Sequence, residues 1–199
     1  MNILIVGLGL IGGSYAKAIK RYTDNRVIGI DADETVIKYA LSHGAIDKVA
    51  DDDDIKNADI VIVSLYPKAA ADFINSNVDL FKEGAVVTDS CGVKRAIYSQ
   101  LSDKVFSGKF TFIGAHPMAG RENSGIKHAT DKIFEGATWF HFTGITPALG
   151  ENVAAICLDA CKAAKARGIK ISCDLNYRGK LWTRAEAREA MTELCQCVD

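Results

Sequence analysis

Glycines 7, 9 and 12 form a G-x-G-x-x-G pattern that can hold a phosphate group. They directly follow the apolar run Ile3–Val6 and directly precede a helical pattern. In this setting Gly7 permits a tight turn, Gly9 lets the backbone approach a pyrophosphate, and Gly12 lets helix and strand pack closely. The alternative is a glycine-rich turn without a ligand, which this context disfavours. Because a helix start also presents free N–H groups, the expected cofactor contacts are Gly7, Gly9, Leu10, Ile11 and Gly12.

Asp31 is the acidic residue that such a phosphate loop requires further along the chain. It ends the second apolar run, 19 residues after Gly12. A carboxylate at this place accepts hydrogen bonds from both hydroxyls of a ribose, and its charge repels a 2′-phosphate. The sequence therefore favours NAD over NADP as the cofactor.

His116, Lys94 and Cys91 follow later apolar runs and are the candidates for chemistry on a substrate. Because parallel strands end at one edge of a sheet, we expect His116 to face the cofactor cleft, where an imidazole can transfer protons near neutral pH. Lys94 could contact an anionic substrate or be a surface lysine. For Cys91 we favour a buried thiol over a nucleophile, because no base is paired with it. Structural or surface roles are expected for His43, His128 and His141.

Short apolar runs alternate with helical patterns along the chain, which predicts an α/β fold with a doubly wound parallel sheet. The predicted strands are 3–6, 27–30, 59–64, 85–88 and 110–114, and the predicted helices are 11–21, 35–42, 68–75 and 94–101. The run of aspartates 51–54 predicts a solvated turn before a strand rather than a cation site, since consecutive residues cannot all face one ion.

The composition limits the classes of partner. The 199 residues are 48% hydrophobic and 25% charged, and 24 Lys and Arg face 25 Asp and Glu, for a net charge of −1. No basic field exists for nucleic acid or an anionic membrane. The apolar run 3–13 is too short for a membrane span, and it is not expected to be a signal peptide because it is broken by glycines and lacks a positively charged start. Five of the six cysteines lie after residue 150. We expect reduced thiols in a cytoplasmic protein and no metal site, because Cys195 and Cys197 lack further ligands at a suitable spacing.

Three motifs in order resemble the nucleotide-binding domain of the prephenate dehydrogenase family, which includes arogenate dehydrogenases. They are Gly-Leu-Gly-Leu-Ile-Gly-Gly-Ser at 7–14, Asp-Ser-Cys-Gly-Val-Lys at 89–94 and His-Pro-Met-Ala-Gly-Arg-Glu-Asn-Ser-Gly at 116–125. The resemblance covers residues 1–138 and implies a Rossmann-type doubly wound sheet. It also implies NAD-dependent oxidative decarboxylation of prephenate to 4-hydroxyphenylpyruvate, a step of tyrosine biosynthesis.

The resemblance assigns roles to particular residues. His116 is implied to accept the proton of the substrate ring hydroxyl. Many members carry serine where this chain has Gly92, and Ser90, two residues away, is the candidate substitute. The substrate-binding residues expected in this way are Ser90, Gly92, Lys94, Glu122 and Ser124. The choice between prephenate and arogenate stays open.

Residues 139–199 resemble a different family. The segments 139–149 and 174–182 are similar to ribokinase-like sugar kinases, closest to 2-keto-3-deoxygluconate kinases, and this resemblance implies that Arg178 contacts a sugar acid. Neither the start of such a kinase nor its later glycine-rich loop is found. The helical domain that closes the substrate site and forms the homodimer in the dehydrogenases is not found either. We therefore expect a chimera of 1–138 and 139–199, impaired in turnover and without the family's dimer interface.

The C-terminal segment also has a predicted structure. Strands at 139–142 and 169–173 and helices at 152–167 and 184–197 are expected to form a β-α-β-α extension that packs on or completes the first sheet. Three functions remain open: a dehydrogenase, an NAD-binding module without catalysis, and a sugar-acid-binding kinase fragment. We favour the first, and NAD titration with and without prephenate would distinguish them.

Overall fold

A computed structural model describes residues 1–136 and 138–199 of the chain. The chain divides into two compact units, Met1–Phe134 and Glu135–Asp199. Each unit has a sheet and an apolar core of its own. Among the described residues, no helix has the length and apolar character needed to cross a membrane.

The first unit contains a six-stranded parallel sheet with helices between the strands. The sheet order is β3-β2-β1-β4-β5-β6, with every neighbouring pair parallel. This order confirms the predicted doubly wound α/β fold. The elements are β1 Asn2–Val6, α1 Leu10–Tyr22, β2 Arg26–Ile30, α2 Glu34–Ser42, β3 Lys48–Val49, α3 Asp52–Asn57, β4 Ile60–Val63, α4 Pro67–Asn77, β5 Val86–Asp89, α5 Lys94–Tyr98 and β6 Thr111–Gly114.

The central strands β1, β2 and β4 are buried on both faces, which explains their continuous apolar sequences. In β1, Leu4 and Val6 face one apolar core while Ile3 and Ile5 face the other. All four side chains are at most 4% exposed. Each such burial contributes about 1.5–3 kcal/mol to folding, so the central strand stabilises both helical layers.

The register brings the ends of five strands into one row. Val6 of β1 pairs with Ile30 and with Val63, Val63 pairs with Asp89, and Asp89 pairs with Gly114. The segments that follow these residues therefore all leave the sheet along one side, here called the carboxyl edge. They begin with Gly7, Asp31, Ser64, Ser90 and Ala115.

The aspartate run 51–54 is not the solvated turn that the sequence predicts, because it opens helix α3. Asp51 accepts a hydrogen bond from the Asp54 N–H at 2.9 Å, and Asp54 accepts one from the Asp51 N–H at 3.0 Å. The Lys48 ammonium lies 2.8 Å from Asp51 and 2.7 Å from Asp54, and it lowers the pKa of Asp51 to about 2. The carboxylates thus cap a helix, where their charge is favourable.

The second unit is a small β-α-β-α layer. Its elements are β7 Trp139–Thr143, α6 Glu151–Ala166, β8 Lys170–Asp174 and α7 Arg184–Cys195. Strands β7 and β8 pair with each other in parallel, so the expectation that they complete the first sheet is wrong. On the other edge of β8, Asp199 donates its N–H to the Ile171 carbonyl at 3.0 Å and accepts the Ile171 N–H at 2.8 Å. The chain itself therefore occupies part of the edge at which β8 could have joined another strand.

Four of the five cysteines of this unit contribute to its apolar core, and Cys195 is exposed. Cys157 and Cys161 on α6 are buried against Phe142 and Ile171, and all six cysteines of the chain are free thiols. Burial raises the pKa of Cys157 to about 11. Such a thiol behaves as a small apolar side chain, which accounts for the high cysteine content after residue 150.

Candidate functional site

Gly7 and Gly12 occupy positions in the phosphate loop that only glycine can fill. Gly7 has a φ of +85°, and a Cβ there would lie 2.6 Å from the carbonyl oxygen of Ser64. A Cβ on Gly12 would lie 1.9 Å from the carbonyl oxygen of Gly7. Both clashes are with backbone atoms, so the close approach of α1 to β1 and β4 requires these two glycines.

Gly9 is constrained differently, because a Cβ there would meet nothing within 4 Å among the described residues. Gly9 caps α1, and its carbonyl accepts the Gly13 N–H at 2.9 Å. The first N–H groups of the helix, including those of Leu10 and Ile11, have no intrahelical acceptor. No acidic residue lies in the first turn of α1. The open space over Gly9 at a positive helix end fits the pyrophosphate of a dinucleotide.

Asp31 lies beside this loop at the end of β2. Its Oδ2 accepts the Leu8 N–H at 2.7 Å, and its Oδ1 accepts the Asp33 N–H at 2.9 Å. These bonds fix the carboxylate against the glycine loop while each oxygen keeps a lone pair free. The half-buried carboxylate can therefore accept hydrogen bonds from ribose hydroxyls next to the phosphate position.

Strand β5 ends in a buried carboxylate, Asp89, which sequence reasoning missed. Asp89 is 1% exposed, and its Oδ2 accepts the Cys91 N–H at 2.8 Å. It also forms an ion pair with the Lys94 ammonium, which in turn donates to the Ala115 carbonyl. Lys94 is therefore not a free surface lysine. The available signal was an aspartate ending an apolar strand with a lysine five residues later.

Cys91 is a buried thiol in this loop. Its Sγ donates to the Leu65 carbonyl at 3.4 Å, and burial, with a further contribution from Asp89, raises its pKa to about 11. The thiol stays protonated at neutral pH, which argues against a role as a nucleophile.

His116 is exposed directly after β6 and faces the loop that follows β5. A Cβ on Gly92 would lie 3.5 Å from its Nε2, so the ring edge is adjacent to Gly92. Among the described residues the Ser90 hydroxyl makes no hydrogen bond to His116, while the Ser90 N–H donates to Val63 at 3.1 Å. The imidazole is thus available to a substrate at the carboxyl edge, and Gly92 offers it no hydroxyl.

Glu122 and Ser124 are exposed residues of the segment after His116. Ser124 lines a groove of about 630 Å³ together with Thr35 and Tyr39 of α2. Met118 in the same segment has a φ of +50°, a conformation that costs about 1–3 kcal/mol for a residue with a side chain. The structure thus brings Ser124 to α2, and no described contact joins Glu122 or Ser124 to His116.

The far end of this segment is anchored to α1. The Ser14 hydroxyl accepts the Thr130 N–H at 3.0 Å, and the Lys17 ammonium donates to the Ala129 carbonyl at 2.7 Å. A Cβ on Gly13 would lie 3.0 Å from the Cβ of Ala129. The helix that begins at the phosphate loop therefore also holds the chain that returns from His116.

The other histidines and Arg178 lie in different surroundings. His43 stacks on Tyr39 with ring centroids 3.8 Å apart, and the His141 Nδ1 lies 2.8 Å from the Ser172 hydroxyl. His128 is exposed on the groove lined by Ser124. Arg178 is exposed in the loop between β8 and α7.

Comparison with known proteins identifies the family of the chain. Residues 15–170 match the family model described as prephenate dehydrogenase, nucleotide-binding domain. The chain is 39% identical to the prephenate dehydrogenase of Lactococcus lactis subsp. cremoris (strain MG1363) over 141 residues, 68% of this chain and 39% of that protein. The crystal structure of Synechocystis arogenate dehydrogenase has a TM-score of 0.68 and 26% identity, covering 96% of this chain and 63% of that one. The structure of A. aeolicus prephenate dehydrogenase in complex with hydroxyphenyl propionate and NAD+ has a TM-score of 0.61 and 21% identity. The match covers 100% of this chain and 84% of that one.

A different relative supports the second resemblance. The 2-dehydro-3-deoxygalactonokinase of Haloferax volcanii (strain ATCC 29605) is 40% identical over 67 residues, which cover 34% of this chain and 21% of that kinase. The chain thus spans about two fifths of the Lactococcus dehydrogenase and one fifth of the kinase. From the family match, the glycine loop and the arrangement of the carboxyl edge, we conclude that the chain belongs to the prephenate dehydrogenase family and carries its nucleotide-binding domain.

Proposed function

We propose that the first unit binds NAD and serves the oxidative decarboxylation of prephenate or arogenate, a step of tyrosine biosynthesis. The observation that carries the proposal is Asp31, whose carboxylate is hydrogen-bonded to the glycine loop at Leu8. The Asp31 carboxylate can therefore accept hydrogen bonds from ribose hydroxyls beside the open space over Gly9. The charge of Asp31 would repel a 2′-phosphate, which favours NAD over NADP.

The chain's own residues divide the work. Gly7 and Gly12 let the backbone approach the pyrophosphate, the N–H groups of α1 bind it, and Asp31 accepts the ribose hydroxyls. NAD held by these residues would supply the acceptor for the hydride of the substrate ring. His116 orients the ring hydroxyl and takes its proton, as an exposed imidazole can near neutral pH.

The remaining chemistry belongs to the substrate. The ring carboxylate leaves as carbon dioxide, the electron pair of the broken bond makes the ring aromatic, and the proton held by His116 returns to the ring oxygen to give the 4-hydroxyphenyl product. Of the substrate contacts that the family resemblance implies, Ser90, Gly92, Glu122 and Ser124 stay part of the proposal. The alternative function follows from Gly92, which supplies no hydroxyl to His116. Without a partner for its imidazole, the unit would bind NAD without turnover.

We also propose that this function is exercised in the cytoplasm by a chimeric chain, with neither nucleic acid nor a membrane as partner. The balance of 24 basic and 25 acidic residues supports the exclusion of these two partners, and the free cysteines support the cytoplasm. The kinase-like match supports the chimera.

The test is a calorimetric titration with NAD and NADP, followed by a turnover assay at the absorbance band of reduced nicotinamide. Prephenate and arogenate are supplied separately. We expect NAD to bind at least about tenfold more tightly than NADP. Binding without turnover for either substrate would select the non-catalytic module, and the absence of NAD binding would refute the proposal.

A further inference from the structure

Two short links lead from Asp89 to the two sides of His116. The first is the Cys91 N–H, which donates to Asp89 Oδ2 at 2.8 Å and so shapes the turn that brings Gly92 to the imidazole. The second is the Lys94 ammonium, which bonds the same carboxylate and the carbonyl of Ala115. The backbone before His116 and the loop facing its ring thus depend on one carboxylate oxygen.

The lysine stem is packed so that its ammonium stays in place. A Cβ on Gly114 would lie 3.0 Å from Lys94 Cδ and 2.9 Å from the Tyr98 hydroxyl oxygen. The Tyr98 ring contacts Phe112 edge to face, with centroids 5.6 Å apart. The Lys94 stem therefore lies next to Gly114, as Tyr98 does, and its ammonium bonds Asp89 and the Ala115 carbonyl.

The pair is poorly arranged for stability alone. The Asp89 side chain is fully buried, and within the described part of the chain its Oδ1 has no hydrogen-bond partner. Only the carboxylate is fully buried, since the Lys94 side chain is 32% exposed, and a buried charge with an unsatisfied oxygen loses solvation that such a pair recovers only in part. An unsatisfied buried group beside a reactive residue instead indicates a functional requirement.

We propose that Asp89 and Lys94 are a positioning pair for His116, and that Lys94 acts through the Ala115 carbonyl rather than as a ligand of the substrate. The proposal rests on the function proposed above, in which His116 receives the proton. It replaces the substrate contact that the family resemblance implies for Lys94. The pair holds the imidazole against Gly92 at the carboxyl edge, so that the ring is oriented before a substrate arrives.

The experiment uses the full chain with the double variant Asp89→Asn/Lys94→Met, which removes both charges and leaves none buried alone. Lys94→Gln is the second variant, and Lys104→Met is the matched control, because Lys104 pairs with Asp79 on the surface at 3.0 Å. The chain has four histidines, and their side-chain resonances are recorded in two-dimensional ¹H–¹⁵N spectra. The His116 signal is identified by its loss in His116→Gln. Circular dichroism confirms that each variant is folded.

We expect the His116 resonances to shift in both pair variants while those of the other histidines stay in place, and the control to shift none. Turnover of prephenate should fall about 100-fold in kcat, as for a reacting group displaced by about 1 Å, with KM changed by less than about threefold. NAD affinity should be unchanged, because the hydrogen bonds found for Asp89 and Lys94 in the described part of the chain do not reach the glycine loop.

Several results would overturn the proposal. If Lys94 were instead a ligand of the substrate, its replacement would raise KM and leave kcat and the His116 resonances unchanged. Unmoved His116 resonances in a folded pair variant refute the proposal even if the chain shows no turnover. If a pair variant is unfolded, the other decides by the same spectra, and unfolding of both assigns the pair to stability and refutes positioning. Failure of NAD to bind the unmodified chain would refute the proposed function separately.

Discussion

Replacing Gly9 and Gly12 by alanine should separate cofactor binding from folding. At Gly12 the new Cβ would stand 1.9 Å from the Gly7 carbonyl oxygen, where ordinary contact begins near 3.4 Å, so backbone must move by 3.4 − 1.9 = 1.5 Å. Such overpacking costs about 1–3 kcal/mol, against a gain in helix propensity of about 1 kcal/mol. We expect Gly12→Ala to destabilise the chain and to lose NAD binding.

Gly9→Ala should weaken NAD binding without destabilising the fold. Its Cβ meets nothing within 4 Å, so the free energy of unfolding should change by less than about 0.5 kcal/mol. The methyl group would nevertheless occupy the position proposed for the pyrophosphate. We expect the Kd for NAD to rise about 10- to 100-fold, equivalent to about 1.4–2.8 kcal/mol.

Urea unfolding and calorimetric titration of both variants measure the two effects. Gly179→Ala is the control, because its Cβ would make an ordinary contact of 3.4 Å with Tyr177 in the second unit. An unchanged NAD affinity in Gly9→Ala would show that the pyrophosphate does not cross Gly9. A loss of stability in Gly9→Ala equal to that of Gly12→Ala would refute the steric argument.

Three further predictions concern single residues. Asp31→Asn should weaken NAD binding about tenfold and narrow the preference over NADP, as measured by calorimetry; an unchanged ratio would exclude Asp31 as the ribose ligand. Gly92→Ser places a Cβ 3.5 Å from the His116 Nε2, so its hydroxyl can reach the ring, and we expect a higher kcat at unchanged NAD affinity; equal or lower kcat would contradict this. Lys48 lowers the pKa of Asp51 from 3.8 to about 2, so the stability it provides is present above about pH 4 and is lost as the pH falls towards 2. Asp51→Asn should flatten the pH dependence of the urea midpoint in that window, and an unaltered slope would contradict the pairing.

The alternation of strands and helices and the glycine loop were predictable because local sequence dictates them. A continuous apolar run such as Ile3–Val6 must be buried on both faces, and a turn such as Gly7 requires a positive φ that its residue type reveals. The carboxyl ends of parallel strands then meet by geometry alone. The position of His116 at the carboxyl edge therefore follows from the sequence alone.

The parts that could not be predicted depend on contacts between distant residues. Asp89 looks like an ordinary loop aspartate until the Ala115 carbonyl, 26 residues later, is brought beside Lys94. The β-α-β pattern of residues 139–173 likewise does not determine which strand edges pair with each other, and in the structure β7 pairs with β8. The aspartates 51–54 were misjudged because a helix of six residues gives almost no periodic signal.

The attachment of Ala129 and Thr130 to α1 has a mechanical consequence. The same rigid helix carries the N–H groups at the phosphate loop and, through Ser14 and Lys17, the return end of the histidine segment. A tilt or slide of α1 would displace both together, so their separation changes less than the position of either. One helix therefore fixes the spacing between the phosphate loop and the return end of the histidine segment.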